Sequence, residues 1–268
     1  MQALKLNNGI EIPIVGSGTN TFGKVNDEYS AELSGETKEV EMAIANGYRH
    51  FDTAEIYRTE PVLAKGIKKS HLPREDFFIT TKLNTKVEEN THAAGVRKAL
   101  EASLVQLDTD YIDLFLIHFP WEGLEDTLAE VWAVLEEYYK KGVLKSIGVS
   151  NFEKDDLDLL LDIAEVKPVM NQIESHVGKW NDDLIKYCHD HDIAVTAYSP
   201  LSNHRGNKTL EEIGKKYDKT AAQVVLRYQI ERDVVVIPKS HNDGRQKQNI
   251  DIFDFELSNE DKEKISEL

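Results

Sequence analysis

The 268-residue chain has one cysteine, Cys188. No internal disulfide can form, and a reducing compartment, the cytoplasm, is the expected location. Positive charge is also short. Forty-eight acidic against 32 basic side chains give a net charge of −16, which argues against the basic face that nucleic-acid phosphates require. No apolar run approaches the ~20 residues of a bilayer-crossing helix. The start, Met1-Gln2-Ala3-Leu4-Lys5, lacks the apolar stretch of a signal peptide. Neither a membrane nor a nucleic acid is therefore expected as a partner. No Pro/Ser-rich linker, low-complexity tract or break in composition divides the chain, so residues 1–268 are expected to form a single domain.

What is there is a series of short apolar runs, most of them ending on a polar or reactive residue. They are His50-Phe51-Asp52, Phe77–Lys82, Ile112–His118, Ser146–Ser150, Val169–Ile173, Ala194–Tyr198 and Val234–Ser240. Val15-Gly16-Ser17 is a weaker first member. The runs are apolar at nearly every position, as strands are when both faces are covered. Between them lie segments with helical spacing: Val40, Ala43 and Ile44; Val96, Leu100 and Leu107; Leu128, Val131, Trp132 and Leu135; Leu157, Leu160 and Leu161. Two helices, Thr209–Tyr217 and one bearing Ala221, Val224, Val225 and Tyr228, separate the last two strands.

This pattern predicts an α/β fold, a (β/α)8 TIM barrel with two extra helices. Asn7-Asn8-Gly9 between Leu4–Leu6 and Ile10–Ile12 adds an N-terminal β-hairpin at the barrel's bottom. Thr19–Ser34 is polar and irregular, a loop over the mouth. Cys188 sits in a helical pattern and is read as a small buried apolar residue. His189 and His191, two apart, do not share a helix face, so no metal site is expected.

Active sites of such barrels form at the C-terminal strand ends. There the chain offers Asp52, Lys82 and His118 on three successive strands, with Tyr57 just beyond the first. Singly, each has an ordinary structural explanation: a loop acid, a half-buried aromatic, a solvated lysine, a structural histidine. Together they suit carbonyl reduction. A phenol near neutrality is a poor proton donor, a nearby ammonium would lower its pKa, a carboxylate would hold the lysine, and an imidazole would bond the substrate oxygen or relay a proton.

Three motifs in order carry a family resemblance. Gly47–Ala54 with Tyr57 and Glu60, then Leu135 with Lys145–Phe152, then Ile237-Pro238-Lys239-Ser240 with Arg245, Gln248 and Asn249 resemble the signatures of the aldo-keto reductases. Asn171-Gln172-Ile173-Glu174 and Tyr198-Ser199-Pro200-Leu201 are similar to further family motifs. The resemblance spans essentially the whole chain. It implies the (β/α)8 barrel, a monomer, a small carbonyl substrate and NADPH/NADP+ as cofactor. Tyr57 would be the general acid, tuned by Lys82 and Asp52, with His118 orienting the carbonyl.

The same resemblance implies the cofactor contacts. Ser150, Asn151 and Gln172 would bond the carboxamide, and Tyr198 would stack on the nicotinamide. Ser199, Pro200, Leu201 and Ser202 would hold the pyrophosphate. Gly18, Thr19, Asn20, Asp52 and Ile237 would also line the cofactor. Lys239, Ser240 and Arg245 would bind the ribose 2′-phosphate, and Gln248 and Asn249 would face adenine. Two cations and a hydroxyl suit a dianionic phosphate.

There are departures. Ala64 stands for a usual glycine and Thr59 for a usual asparagine. Asn20 stands where relatives carry an aromatic roof, a role Phe22 is expected to take. Phe119 stands for tryptophan, and with Trp121 it is expected to line the substrate pocket. The chain stops at Leu268, so the expectation is an open, less selective mouth. The alternatives are a non-catalytic nicotinamide-binding regulatory subunit of the same fold, and a barrel isomerase or aldolase using Lys82 as a Schiff-base amine, which the Ile-Pro-Lys-Ser…Arg segment does not fit.

Overall fold

The computed structural model describes residues 2–268; Met1, the first residue of the stretch read for a leader, lies outside the described residues. Strands β1 (Ala3–Lys5) and β2 (Glu11–Pro13) form the antiparallel hairpin. It sits where the sequence puts it, under the barrel. Asn7 Nδ2 donates to the carbonyls of Pro168 (2.9 Å) and Asp192 (3.0 Å), and Asn8 Nδ2 to that of Lys145 (3.1 Å). These carbonyls lie just ahead of three barrel strands, so the hairpin satisfies backbone groups at the floor.

Eight parallel strands follow in sequential order: β3 (Ser17–Gly18), β4 (His50–Asp52), β5 (Phe78–Leu83), β6 (Leu114–Ile117), β7 (Ile147–Ser150), β8 (Met170–Glu174), β9 (Ala194–Tyr198) and β10 (Val234–Val236). A parallel bridge between Val15 and Val236 closes the ring, with Gly16 N–H bonded to Val236 O (2.8 Å) and Val236 N–H to Ile14 O (3.0 Å). The run starting at Val234 was expected to continue to Ser240. The strand ends at Val236 because Pro238 has no N–H to give a ladder, and residues 237–240 instead cross the mouth. Gly18 permits their approach: a Cβ there would lie 3.1 Å from Ile237 O.

Helices cover the outside: α1 (Lys38–Ala45), α2 (Glu60–Ser70), α3 (Ala93–Gln106), α4 (Leu124–Lys140), α5 (Lys154–Ile163), α6 (Asp182–Asp190), α7 (Lys208–Tyr217), α8 (Ala221–Ile230), α9 (Asp243–Ile250) and α10 (Asn259–Ser266). Helices α7 and α8 both lie between β9 and β10. A capping box, Thr220 with Gln223, starts α8. The apolar helix faces read from spacing are buried: Val40, Ala43 and Ile44 in α1, and Leu128, Val131, Trp132 and Leu135 in α4. Cys188 is buried, and burial pushes its thiol up to about 11.

Strand alternation decides what reaches the barrel axis. In β5, Thr81 faces outward and donates to Glu60 of α2 (2.6 Å), while Lys82 faces the axis and reaches Asp52. In β8, Asn171 turns outward to Phe152 O (2.9 Å), while Gln172 turns inward to Asp52 (2.7 Å). One residue of slip in either strand would exchange these roles.

Candidate active site

The C-terminal strand ends border a cleft of about 470 Å³. Asp52, Tyr57, His118, Ser150, Asn151 and Gln172 all border it. So do Gly18, Thr19 and Asn20 at the end of the first barrel strand, and Tyr198 to Ser202 at the end of β9. Ile237 and Lys239 complete that wall. A second hollow shares Leu201 and Lys239 with it and continues to Ser240, Arg245, Gln248 and Asn249. Residues spread over the whole sequence are thus brought into two adjoining depressions.

Lys82 lies beneath the cleft, fully buried. Its Nζ donates to Asp52 Oδ1 (2.6 Å) and Thr53 O (2.8 Å). Asp52 Oδ2 accepts from Gln172. Burial lowers the lysine's pKa, and the Asp52 carboxylate opposes that shift.

Tyr57 closes the single 3-10 turn Glu55–Tyr57, which ends on Arg58 at φ 61°. The lysine ammonium is 5.1 Å from the Tyr57 ring centroid. The expected lowering of the phenol's pKa by Lys82 is not found: burial raises it well above 10, and the Asp52 charge adds to the rise. The main physical reason is burial, which solvates a phenolate poorly, while the lysine's charge is paired with the Asp52 carboxylate. The phenol is therefore held in its proton-bearing form.

His118 sits one residue beyond β6, its Nε2 3.5 Å from the Tyr57 hydroxyl and the two rings edge to face. Burial, with smaller contributions from the Lys82 and Lys86 ammonium groups, pushes its pKa down to about 2. The imidazole is neutral, so it serves to bond an oxygen rather than to carry charge. Its Nδ1 is buried and has no hydrogen-bond partner in the protein.

Asn151 and Ser199, each directly after a strand, have left-handed backbones (φ 61° and 52°). Such geometry costs about 1–3 kcal/mol per residue and concentrates at functional sites. Asn151 Nδ2 donates to His118 O (2.9 Å), and its Oδ1 accepts from the Tyr198 hydroxyl (2.8 Å). Ser150 Oγ donates to Gln172 O (2.8 Å). Thr59, one of the departures noted above, ties the ends of β3 and β4 together through Thr53 (3.1 Å) and Thr19 (3.4 Å).

In the outer hollow, among the described residues, no carboxylate lies within 4 Å of the side-chain nitrogens of Lys239 or Arg245. Lys239 Nζ donates to Thr21 Oγ1 (2.9 Å) and Arg245 Nε to Ser240 Oγ (3.3 Å). Two cations without a carboxylate contact, beside a hydroxyl, in a chain of net charge −16, form a donor set that fits a phosphate dianion. The fit of the residues to a phosphorylated dinucleotide rests on that set.

Two pocket expectations fail. Phe22 is fully buried, packed edge-on against His241 (5.4 Å), because the first turns of its loop fold inward. Tyr29 takes the mouth position instead, edge to face with Tyr57 at 6.1 Å. Trp121 packs against the core and donates to Thr127 (3.0 Å), so it does not border the cleft. Phe119 does, with its ring stacked on His118 at 4.1 Å. Sequence reasoning also missed Ile56 and Lys86 in the cleft, and His204 and Arg205 in the outer hollow. All lie in irregular connections, where no periodicity says which side chain turns inward.

The aldo/keto reductase family model matches residues 14–268. Glyoxal reductase of Bacillus subtilis (strain 168) is 42% identical over 267 residues, spanning 99% of this chain and 92% of that relative. Among solved structures, an aldo/keto reductase from Brucella melitensis superposes with a TM-score of 0.90 at 40% identity, covering 99% of this chain and 98% of the other. An aldo-keto reductase of Bombyx mori in complex with NADP gives 0.88 at 36% identity, covering 99% and 92%.

Proposed function

The chain belongs to the aldo/keto reductase family, and from that premise we propose that it is an NADPH-dependent oxidoreductase that reduces aldehydes and ketones to alcohols. The observation that carries the proposal is the neutralised Asp52–Lys82 pair beneath a protonated Tyr57 that faces a neutral His118.

When bound, NADPH supplies the hydride to the carbonyl carbon. The chain's own residues do the rest. A carbonyl oxygen seated against Tyr57 and His118 is bonded by both, and it takes its proton from the Tyr57 hydroxyl as negative charge develops on it. Lys82, bound to Asp52, offsets part of the carboxylate charge that raises the phenol's pKa. Ser150, Asn151 and Gln172 would hold the carboxamide, and Tyr198 would stack on the nicotinamide ring. Gly18, Thr19, Asn20, Asp52 and Ile237 would line the cofactor, and Ser199 to Ser202 would hold its pyrophosphate. Lys239, Ser240 and Arg245 would bind the 2′-phosphate, with Gln248 and Asn249 toward adenine.

We take residues 1–268 to act as one catalytic domain, a cytoplasmic monomer. No helix among the described residues is long and apolar enough to cross a membrane.

The test is NADPH oxidation, followed optically, against a panel of small aldehydes and ketones. Carbonyl-dependent oxidation is expected. In Tyr57→Phe it should fall by about 10²–10⁴-fold while NADPH still binds. Tight NADPH binding with no turnover of any carbonyl would instead favour the regulatory subunit.

A further inference from the structure

Besides the buried Asp52 and the phosphate-side Lys239, one charged side chain borders the cleft: Lys86. It borders the cleft with Ile56, Tyr57, His118 and Phe119, none of which borders the outer hollow that contains Arg245. It is exposed, and among the described residues no carboxylate lies within 4 Å of its ammonium. Glu88 and Glu89 follow in the same connection, but neither pairs with it. The ammonium sits 4.5 Å over the Phe119 ring, an attraction that leaves its charge uncompensated.

The backbone that carries Lys86 is pinned. Asn84 N–H donates to Glu55 Oε2 (2.9 Å), and Asn90 Nδ2 bonds both Glu55 (3.2 Å) and Asn84 O (3.0 Å). Thr85 Oγ1 donates to Phe119 O (2.7 Å). Glu55 opens the turn that ends on Tyr57, so the connection that carries Lys86 is tied to the turn that carries the phenol. Phe119 in turn stacks on His118 with an interplanar angle of 8°. The two contacts to the Phe119 ring together put the Lys86 nitrogen within about 9 Å of the His118 ring centre.

We propose that Lys86 is a specificity-determining residue that selects carbonyl compounds bearing a carboxylate, the carbonyl held at Tyr57 and His118 and the carboxylate at the Lys86 ammonium. The assignment rests on the reductase activity proposed above. A para-substituted aromatic ring carries its carbonyl and its carboxylate at opposite ends of a rigid frame, the arrangement that two separate contacts call for. In a strongly acidic protein, bulk charge repels anions, and a lone cation at the cleft mouth reverses that locally. A low-dielectric wall such as the Phe119 ring strengthens the local field.

The test uses a pair of substrates matched in shape and differing in charge, 4-carboxybenzaldehyde and its methyl ester, with NADPH at saturation. The native protein should prefer the acid. The acid-to-ester ratio of kcat/KM should fall about three- to tenfold in Lys86→Met, mainly through KM, and return in Lys86→Arg. In the native protein the ratio should also fall with added salt, as screening requires, a measurement that needs no variant. An unchanged ratio in Lys86→Met, or a salt-independent one in the native protein, overturns the proposal while both compounds are still reduced. If neither these two compounds nor any other carbonyl oxidises NADPH, the reductase reading itself falls, and this assignment with it.

Discussion

Lys82 Nζ and Asp52 Oδ1 are 2.6 Å apart at the base of the cleft, with side-chain exposures of 0% and 3%. A buried pair of this kind is costly to break by halves. Removing one partner leaves the other charge in a medium that solvates it poorly, at about 3–5 kcal/mol. Lys82→Met is therefore expected to shift the denaturant midpoint to lower concentration without changing the m-value. The double variant Asp52→Asn/Lys82→Met should recover much of the loss. A single variant as stable as the native protein would show that water reaches the pair.

The same pair shapes the pH dependence of reduction. Proton donation needs the phenol protonated. Burial and the Asp52 charge hold the Tyr57 pKa well above 10, and His118, pushed down to about 2, stays neutral. Between about pH 6 and pH 9, kcat/KM for a neutral aldehyde should show no loss from either group. A titration inside that window that moves in a His118 variant would contradict the neutral imidazole.

Acid stability should depend on His50. This residue is wholly buried, and burial brings its pKa down from 6.5 to about 4. Its Nδ1–H donates to Pro13 O (3.2 Å), which leaves Nε2 to accept from Thr80 Oγ1 (3.2 Å). The folded pKa lies below the unfolded one, so between the two values the unfolded chain binds more protons. The stability tied to neutral His50 is fully present above about pH 6.5 and is lost as pH falls toward 4, on the order of 3 kcal/mol. Denaturant unfolding at several pH values should give a shallower decline over this range in His50→Gln than in the native protein. Identical slopes would remove His50 from the account.

Cofactor choice should follow Arg245. If its guanidinium meets the 2′-phosphate, Arg245→Ala should weaken NADPH about 10–100-fold, the worth of one charge-assisted bond, and NADH by far less. Fluorescence titration with both cofactors measures the difference. Equal losses would place Arg245 away from the phosphate.

The barrel was legible because its strands are short, apolar on both faces and separated by helical spacing. Most of the candidate site was legible because strand ends have fixed neighbours: a polar residue at or next to the end of each run from Asp52 to Tyr198 must meet the others once the ring closes. The connections were not legible. Phe22 and Tyr29 belong to one irregular loop, and nothing in residue type says that the first folds into the core while the second roofs the cleft. Trp121, in a similar connection, finds Thr127 on the following helix rather than the mouth. The strand from Val234 was read too long because Ile237 is as apolar as the three valines before it, though Pro238 already marked the limit.

By itself, the sequence determined which side chains could carry chemistry and that they share one rim, since alternation and strand order follow from local pattern. Protonation was decided by tertiary structure alone. Spacing puts an ammonium near Tyr57 and suggests a lowered pKa, yet that ammonium is bound to Asp52, and depth in the barrel raises the phenol's pKa instead. A pKa is set by the solvation and charges around a group in three dimensions, and neither can be read until the chain has closed around it.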